Sequence, residues 1–157
     1  WLQLFQPLLQ DEHKLLIGHN IKFDLKVIRQ YGIDLKNKLF DTMIAHYLLH
    51  PDGKHGMDEV SEKMLCYTPI SIESLIGKKG KDQGSMSTLS ALEISDYACE
   101  DADITYQLFE ILQPQLEKEG LMGLFKDVEM PLMPFIKETS SFLIEVRPAC
   151  DKVALVP

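Results

Sequence analysis

Two side chains in the stretch SALEISDYACEDADITYQLFEIL, Ser90 to Leu112, carry chemistry at helical spacing. Ile94, Tyr97, Asp101, Ile104 and Leu108 follow at steps of three and four, which sets them on one side of a 3.6-residue helix. Tyr97 and Asp101 therefore interrupt a stripe that otherwise turns inward. A carboxylate facing an interior needs a partner, because burying an unpaired charge is costly. A divalent metal is one such partner. A slight roll of the helix that lets both groups reach water is another, and periodicity alone favours the roll. Asp24 closes a second stretch, IGHNIKFD, which places a strand end, a turn and a helix start between Ile17 and Asp24. Ligands of α/β folds gather at the carboxyl ends of strands. Taken alone, Asn20 reads as the cap of that helix and Asp24 as an acid favoured by its positive end.

The other reactive groups form weaker patterns. His46 and His50 are four apart, a zinc-compatible spacing, but no third ligand is suitably spaced. His19 reads as a turn residue facing solvent. Lys78, Lys79 and Lys81 make a compact basic patch in the loop GKKGKDQGSMS, of the kind that is usually a solvated surface. Cys66, Cys99 and Cys150 are odd in number and far apart, which suits a reducing compartment. Cys99 lies off the Tyr97–Asp101 side of its helix and reads as core.

The elements that must position these groups follow from period and punctuation. A surface helix is expected over Leu2 to Gln10, with Pro7 early in it or breaking it. Lys14 to Gly18 reads as a buried strand, Ile21 to Gly32 as a helix stopped by glycine, and Lys38 to Phe40 as a second strand. Asp41 then caps a helix over Thr42 to His50 that Pro51 ends. Helices at Met57 to Leu65 and Ser71 to Ile76 precede the central one, which opens with a Ser90–Glu93 capping box. Further helical stretches are expected at about Gln115 to Phe125 and Asp127 to Glu138; Thr139 to Pro157 has no clear period. Two strands are few for an open sheet, so others are hidden or precede Trp1. The 157 residues, 45% hydrophobic and 25% charged, have the composition of one globular domain. The formal charge of -8 argues against broad adhesion to nucleic acid, yet allows a site where metals bridge carboxylates to phosphate. No apolar run reaches the length of a membrane span.

GHNIKFD followed by YACEDAD resembles the second and third motifs of the proofreading 3′→5′ exonuclease domain of family A DNA polymerases, the bacterial DNA polymerase I group in particular. The resemblance continues through FDTMIAHYLL, HGMDEVSEKML, the GKKGKDQ loop and EDADITYQL to EMPLMP at Glu129 to Pro134, which looks like the lead-in to that family's polymerase domain. It implies an α/β, ribonuclease H-like exonuclease fold, mostly helical with a few short strands. It also implies an exonuclease domain over residues 1–135, with 136–157 a polymerase lead-in or a divergent tail.

By the same resemblance Asp24 and Asp101 are metal ligands and catalytic, and Tyr97 orients the attacking water. Asn20, Phe23, Lys54 and Met57 meet the terminal nucleotides. The implied cofactors are two divalent ions, Mg²⁺ or Mn²⁺. The implied partners are a single-stranded DNA 3′ end and the polymerase domain of the same parent chain, in a bacterial, nucleoid-associated, cytoplasmic setting with no membrane. The family's first motif, Asp-x-Glu on an early strand, has no counterpart in these residues. The fold is thus expected to be truncated and the isolated fragment inactive. A 3′→5′ exoribonuclease of the same superfamily and a catalytically inert exonuclease-like scaffold are the alternatives.

Overall fold

A pair of parallel strands carries the site. In the computed structural model, which describes residues 2–78, 80 and 83–133, β1 (Leu15–Gly18) pairs with β2 (Lys38–Asp41) in a register running from Leu15–Lys38 to Gly18–Asp41. Parallel neighbours need a crossover; α2 (Lys22–Gln30) provides it, and Gly32 at φ +74 turns the chain back. Both strands lie where the apolar runs predict, but β1 is not the buried strand expected: Leu15 is exposed and Leu16 to Gly18 are half-buried, because among the described residues only β2 pairs with it.

α1 (Leu2–Leu9) precedes the pair and contains Pro7 without breaking. α3 (Thr42–Leu49), α4 (Met57–Leu65) and α5 (Ile72–Ile76) follow β2, and a 3₁₀ turn at Met86–Thr88 leads into α6 (Ala91–Lys118). Beyond a glycine turn at Gly120, α7 (Met122–Leu124) runs into a π-helical turn, Phe125–Glu129, and on as helix to residue 133.

α6 differs from expectation in length. The pattern suggested an end near Leu112 and a fresh helix from Gln115, but one helix of 28 residues passes through Pro114. Proline inside a helix costs about 3 kcal/mol through its lost N–H and a clash one turn back. Here Leu112 and Leu116, both at 0% exposure, flank it on the buried face, and their burial offsets that cost. With Ile104 and Leu108 they pack on Phe40, Ala45, Val60 and Phe125 to form the main core. Phe40 of β2 meets Phe109 edge-on at 4.8 Å and Phe125 at 4.6 Å, which fixes the helix against the sheet. A smaller cluster of Ile21, Leu25 and Met133 seats α2. Cys99 is exposed, contrary to its expected place in the core, because α6 has no buried residue before Ile104.

The end of the Asp127–Glu138 stretch, the boundary at 135/136, the tail from Thr139, Cys150, Lys79 and Lys81 all lie outside the described residues. Lys78 is exposed. Among the described residues no helix is long and apolar enough to cross a membrane.

Candidate active site

The site grows from the turn at the end of β1. A side chain at Gly18 would bring its Cβ within 2.8 Å of the Ile21 side chain, so only glycine lets the turn close this tightly. Asn20 then takes φ +62, a left-handed conformation that asparagine adopts at less cost than most residues. Its expected capping role is not what the structure shows. The residue preceding α2 is Ile21, with no side-chain cap of its own. The acceptor comes instead from the end of β2. Asp41, only 1% exposed, takes the Asn20 N–H at 3.1 Å on Oδ1 and the Ile21 N–H at 2.9 Å on Oδ2. Its Oδ1 also caps α3, accepting from Met43 at 2.9 Å and Ile44 at 3.2 Å. One buried carboxylate thus ties the starts of two helices to the strand ends, and Asp24 sits in the first turn of the helix so placed.

α6 supplies the other half. Its capping box is formed: the Ser90 N–H reaches Glu93 Oε2 at 2.7 Å, and Ser90 Oγ accepts from the Glu93 N–H at 3.4 Å. One turn further on, Tyr97 and Asp101 are close enough on one side of α6 for each to shift the titration of the other. The neighbouring Glu100 accepts from the Tyr67 hydroxyl and, at 2.7 Å, from the Ile70 N–H, which pins the segment after α4 to this helix.

Asp24 and Asp101, far apart in sequence, line one cavity of about 400 Å³ together with Gly18, His19, Met57 and Thr105. Partial burial raises the pKa of both carboxyls above the usual carboxylate range. Asp41 adds to the shift at Asp24, and Glu100 and Asp58 add to it at Asp101, where the Tyr97 hydrogen bond pulls the other way. Burial and the adjacent Asp101 push the Tyr97 phenol up to about 12, so it remains a protonated donor. Neither aspartate is ion-paired with Lys, Arg or His among the described residues. Two carboxylates lining one cavity without a cationic partner, Asp101 half-buried and Asp24 more open, fit a divalent cation. They make an incomplete cage, since no group of three or more His, Cys, Asp or Glu able to hold a metal occurs among the described residues.

Of the expected substrate contacts, Met57 lines the cavity, whereas Asn20, Phe23 and Lys54 do not. Phe23 is 63% exposed on α2, and Lys54 is paired with Glu59 at 3.4 Å with its side chain open to solvent. Among the described residues no third ligand joins His46 and His50; His46 is buried and bonds His55, Nδ1 to Nδ1 at 2.8 Å. His19 is a wall residue that spacing could not separate from an ordinary turn residue; its place directly after a strand-ending glycine was the available signal.

Residues 1–117 match a family model described as 3′-5′ exonuclease. The chain belongs to the 3′-5′ exonuclease family. Among curated relatives, this exonuclease chain is 36% identical over 136 residues to DNA polymerase I of Rhizobium leguminosarum, covering 86% of this chain and 13% of that protein. It is 37% identical over 140 residues to DNA polymerase I of Treponema pallidum, covering 87% of this chain and 14% of that one. The exonuclease chain therefore spans about one seventh of the length of these relatives. Among solved structures, Brucella melitensis NrnC bound to pGG aligns with a TM-score of 0.66 at 24% identity, covering 95% of this chain and 67% of that one. That likeness gives the fold, a ribonuclease H-like exonuclease fold that here is mostly helical with two short strands among the described residues.

Proposed function

We propose that this chain is the proofreading 3′→5′ exonuclease domain, residues 1–135, of a bacterial, cytoplasmic, nucleoid-associated DNA polymerase, with 136–157 leading toward the polymerase domain. Its substrate is a single-stranded DNA 3′ end, from which it releases nucleotides by phosphodiester hydrolysis. The observation that carries this reading is the convergence of Asp24 and Asp101 on one cavity in a chain of this family.

Asp24 and Asp101 would hold Mg²⁺ or Mn²⁺, two ions in the complete domain. Bound there, the metals supply an acidified water and stabilisation of the leaving 3′ oxygen. The rest falls to the chain's own residues. The Tyr97 hydroxyl, one helical turn from Asp101, keeps its own proton and would accept a hydrogen bond from the attacking water on its oxygen, so aiming that water's lone pair. Its high pKa keeps this polarity fixed across the neutral range. Met57 presents an apolar wall to the terminal nucleoside, and Asn20 offers its amide to the same nucleotide. The exposed Phe23 ring offers a face on which a base can stack. Lys54 exchanges Glu59 for a backbone phosphate.

The test is hydrolysis of labelled single strands with Mg²⁺ or Mn²⁺ by the full-length protein containing this chain. DNA is expected to be degraded from the 3′ end, with loss of turnover in Asp24→Ala and Asp101→Ala. Replacing Tyr97 by Phe should slow hydrolysis while leaving DNA binding intact. A clear preference for RNA would move the assignment to an exoribonuclease, and wild-type inactivity to an inert scaffold. The 157-residue chain assayed alone is expected to be nearly inactive beside a longer one carrying an Asp-x-Glu, because Mg²⁺ binds weakly where anionic ligands are few. Equal turnover by the two would withdraw the metal-site assignment.

A further inference from the structure

The loop between α3 and α4, residues 50–56, carries Lys54 and leads into Met57; besides its local backbone bonds, the Lys54–Glu59 ion pair and the packing of Met57 on the core, imidazoles hold it. His19, at the carboxyl end of β1, bonds through both ring nitrogens: Nε2 to the His55 backbone oxygen at 2.9 Å and Nδ1 to Thr42 Oγ1 at 2.9 Å. A carbonyl only accepts, so Nε2 carries a proton. Burial lowers the His19 pKa against the opposing pull of the His55 carbonyl, Asp41 and Asp58, which favours the neutral ring; the one Thr42 hydroxyl proton then lies between His19 Nδ1 at 2.9 Å and the Gly18 oxygen at 3.2 Å, so Thr42 ties the imidazole to the end of β1. On its other side, the His55 ring bonds the buried His46 Nδ1 to Nδ1 at 2.8 Å and meets Tyr47 edge-on at 5.4 Å, both on α3. His50 closes the loop's near end, with its N–H on the His46 carbonyl at 2.8 Å. His55 is therefore held by its side chain to α3 and by its carbonyl to the wall of the cavity.

We propose that His19 and His46 are positioning residues: the relay His46–His55–His19 fixes the 50–57 segment against the end of β1, so that Lys54 and Met57 meet the substrate in register with Asp24 and Asp101. This rests on the exonuclease reading of the cavity. Neither histidine is asked to touch reacting atoms. Loss of the relay loosens the grip on the strand and leaves the chemistry intact, so KM moves and kcat does not. Glutamine can replace His19 in this role, since its amide N–H reaches a carbonyl while its oxygen accepts a hydroxyl proton. Alanine cannot.

Two readouts on the full-length protein test this. Amide hydrogen exchange over residues 50–57 is expected to rise about tenfold in His19→Ala and in His46→Leu, the scale of one lost buried hydrogen bond, and to return toward wild type in His19→Gln. The C-terminal half of α6 should stay protected in all three, which separates a freed loop from a damaged core. With single-stranded DNA, KM should rise severalfold in His19→Ala, with kcat within about twofold of wild type and KM recovered by His19→Gln. His46 is buried, so if His46→Leu does not fold the His19 pair decides alone. Unchanged loop exchange in His19→Ala overturns the proposal, as does a fall in kcat at constant KM. A wild-type protein that cleaves nothing defeats the exonuclease reading, and the exchange data still decide the relay.

Discussion

Replacing Asp41 measures how firmly the site is tied to the sheet. Its carboxylate takes four backbone N–H groups from a nearly solvent-free position. Loss of an N-terminal cap costs about 1–2 kcal/mol. The two bonds to the α2 turn add roughly 1–1.5 kcal/mol each, since their donors are left without partners. Asp41→Ala should therefore destabilise the chain by about 3–5 kcal/mol, a large part of the 5–15 kcal/mol typical of a domain. Asp41→Asn divides the effect. Its amide oxygen can replace Oδ1, which holds three of the four donors, and preserve the α3 cap. Its NH₂ then faces the Ile21 N–H, donor against donor. The Asn variant should lose about half as much stability, yet release the start of α2 and with it Asp24. Urea unfolding, with the midpoint read at constant slope, gives the stabilities. Exchange at the Ile21 amide reports the released turn. A cost below about 1 kcal/mol for Asp41→Ala, or an Asn variant indistinguishable from wild type by both measures, would refute the clamp.

Three further outcomes are expected. Asp24 and Asp101 both have carboxyl pKa values raised in the fold, so their charged forms cost stability once pH exceeds the unfolded value; Asp24→Asn and Asp101→Asn should each raise the thermal midpoint by about 1–4 °C at pH 7 while hydrolysis is lost, and a lowered midpoint would contradict this. Burial, with His50, His55, Lys63 and His19 nearby, holds His46 down to about 4, so stability should be complete above pH 6.5, fall as pH drops toward 4 and level off below; the total change is about 3 kcal/mol at 1.36 kcal/mol per pH unit, seen as a sliding urea midpoint that His46→Asn flattens. Pro114→Ala should restore a helical hydrogen bond within α6 and stabilise by about 1–3 kcal/mol, and unchanged stability would mean that the helix is already relaxed around the proline.

What the sequence made legible was local. The strands at Leu15 and Lys38, α4 from Met57 to Leu65, the Asp41 cap of α3 and the Ser90–Glu93 box all depend on residues within four positions of one another. Asp24 and Asp101 stood out because each sits at a strand end or on a helix stripe. Long-range relations stayed hidden. The cap of the α2 turn comes from Asp41, twenty positions on, which spacing around Asn20 cannot reveal. Passage through Pro114 is decided by the burial of Leu112 and Leu116 against other elements, which overrides local propensity. The imidazole relay joins three segments whose histidines, read singly, suggested a turn residue and an unfinished zinc pair.

α6 divides its labour along its length, about 42 Å at 1.5 Å per residue for 28 residues. Every buried residue of the helix lies at Ile104 or beyond, while Tyr97 and Asp101 ride on the preceding turns, a cantilever braced at its tip by the capping box and at its midpoint by Glu100. Such a beam gives way at its free end first. Warming should fray the first three turns while Leu108, Leu112 and Leu116 still hold the rest, so activity would disappear at a temperature where spectroscopy still reports a folded protein. The same division means that an engineer seeking heat-resistant activity would reinforce the brace at Glu100 before touching a single core leucine.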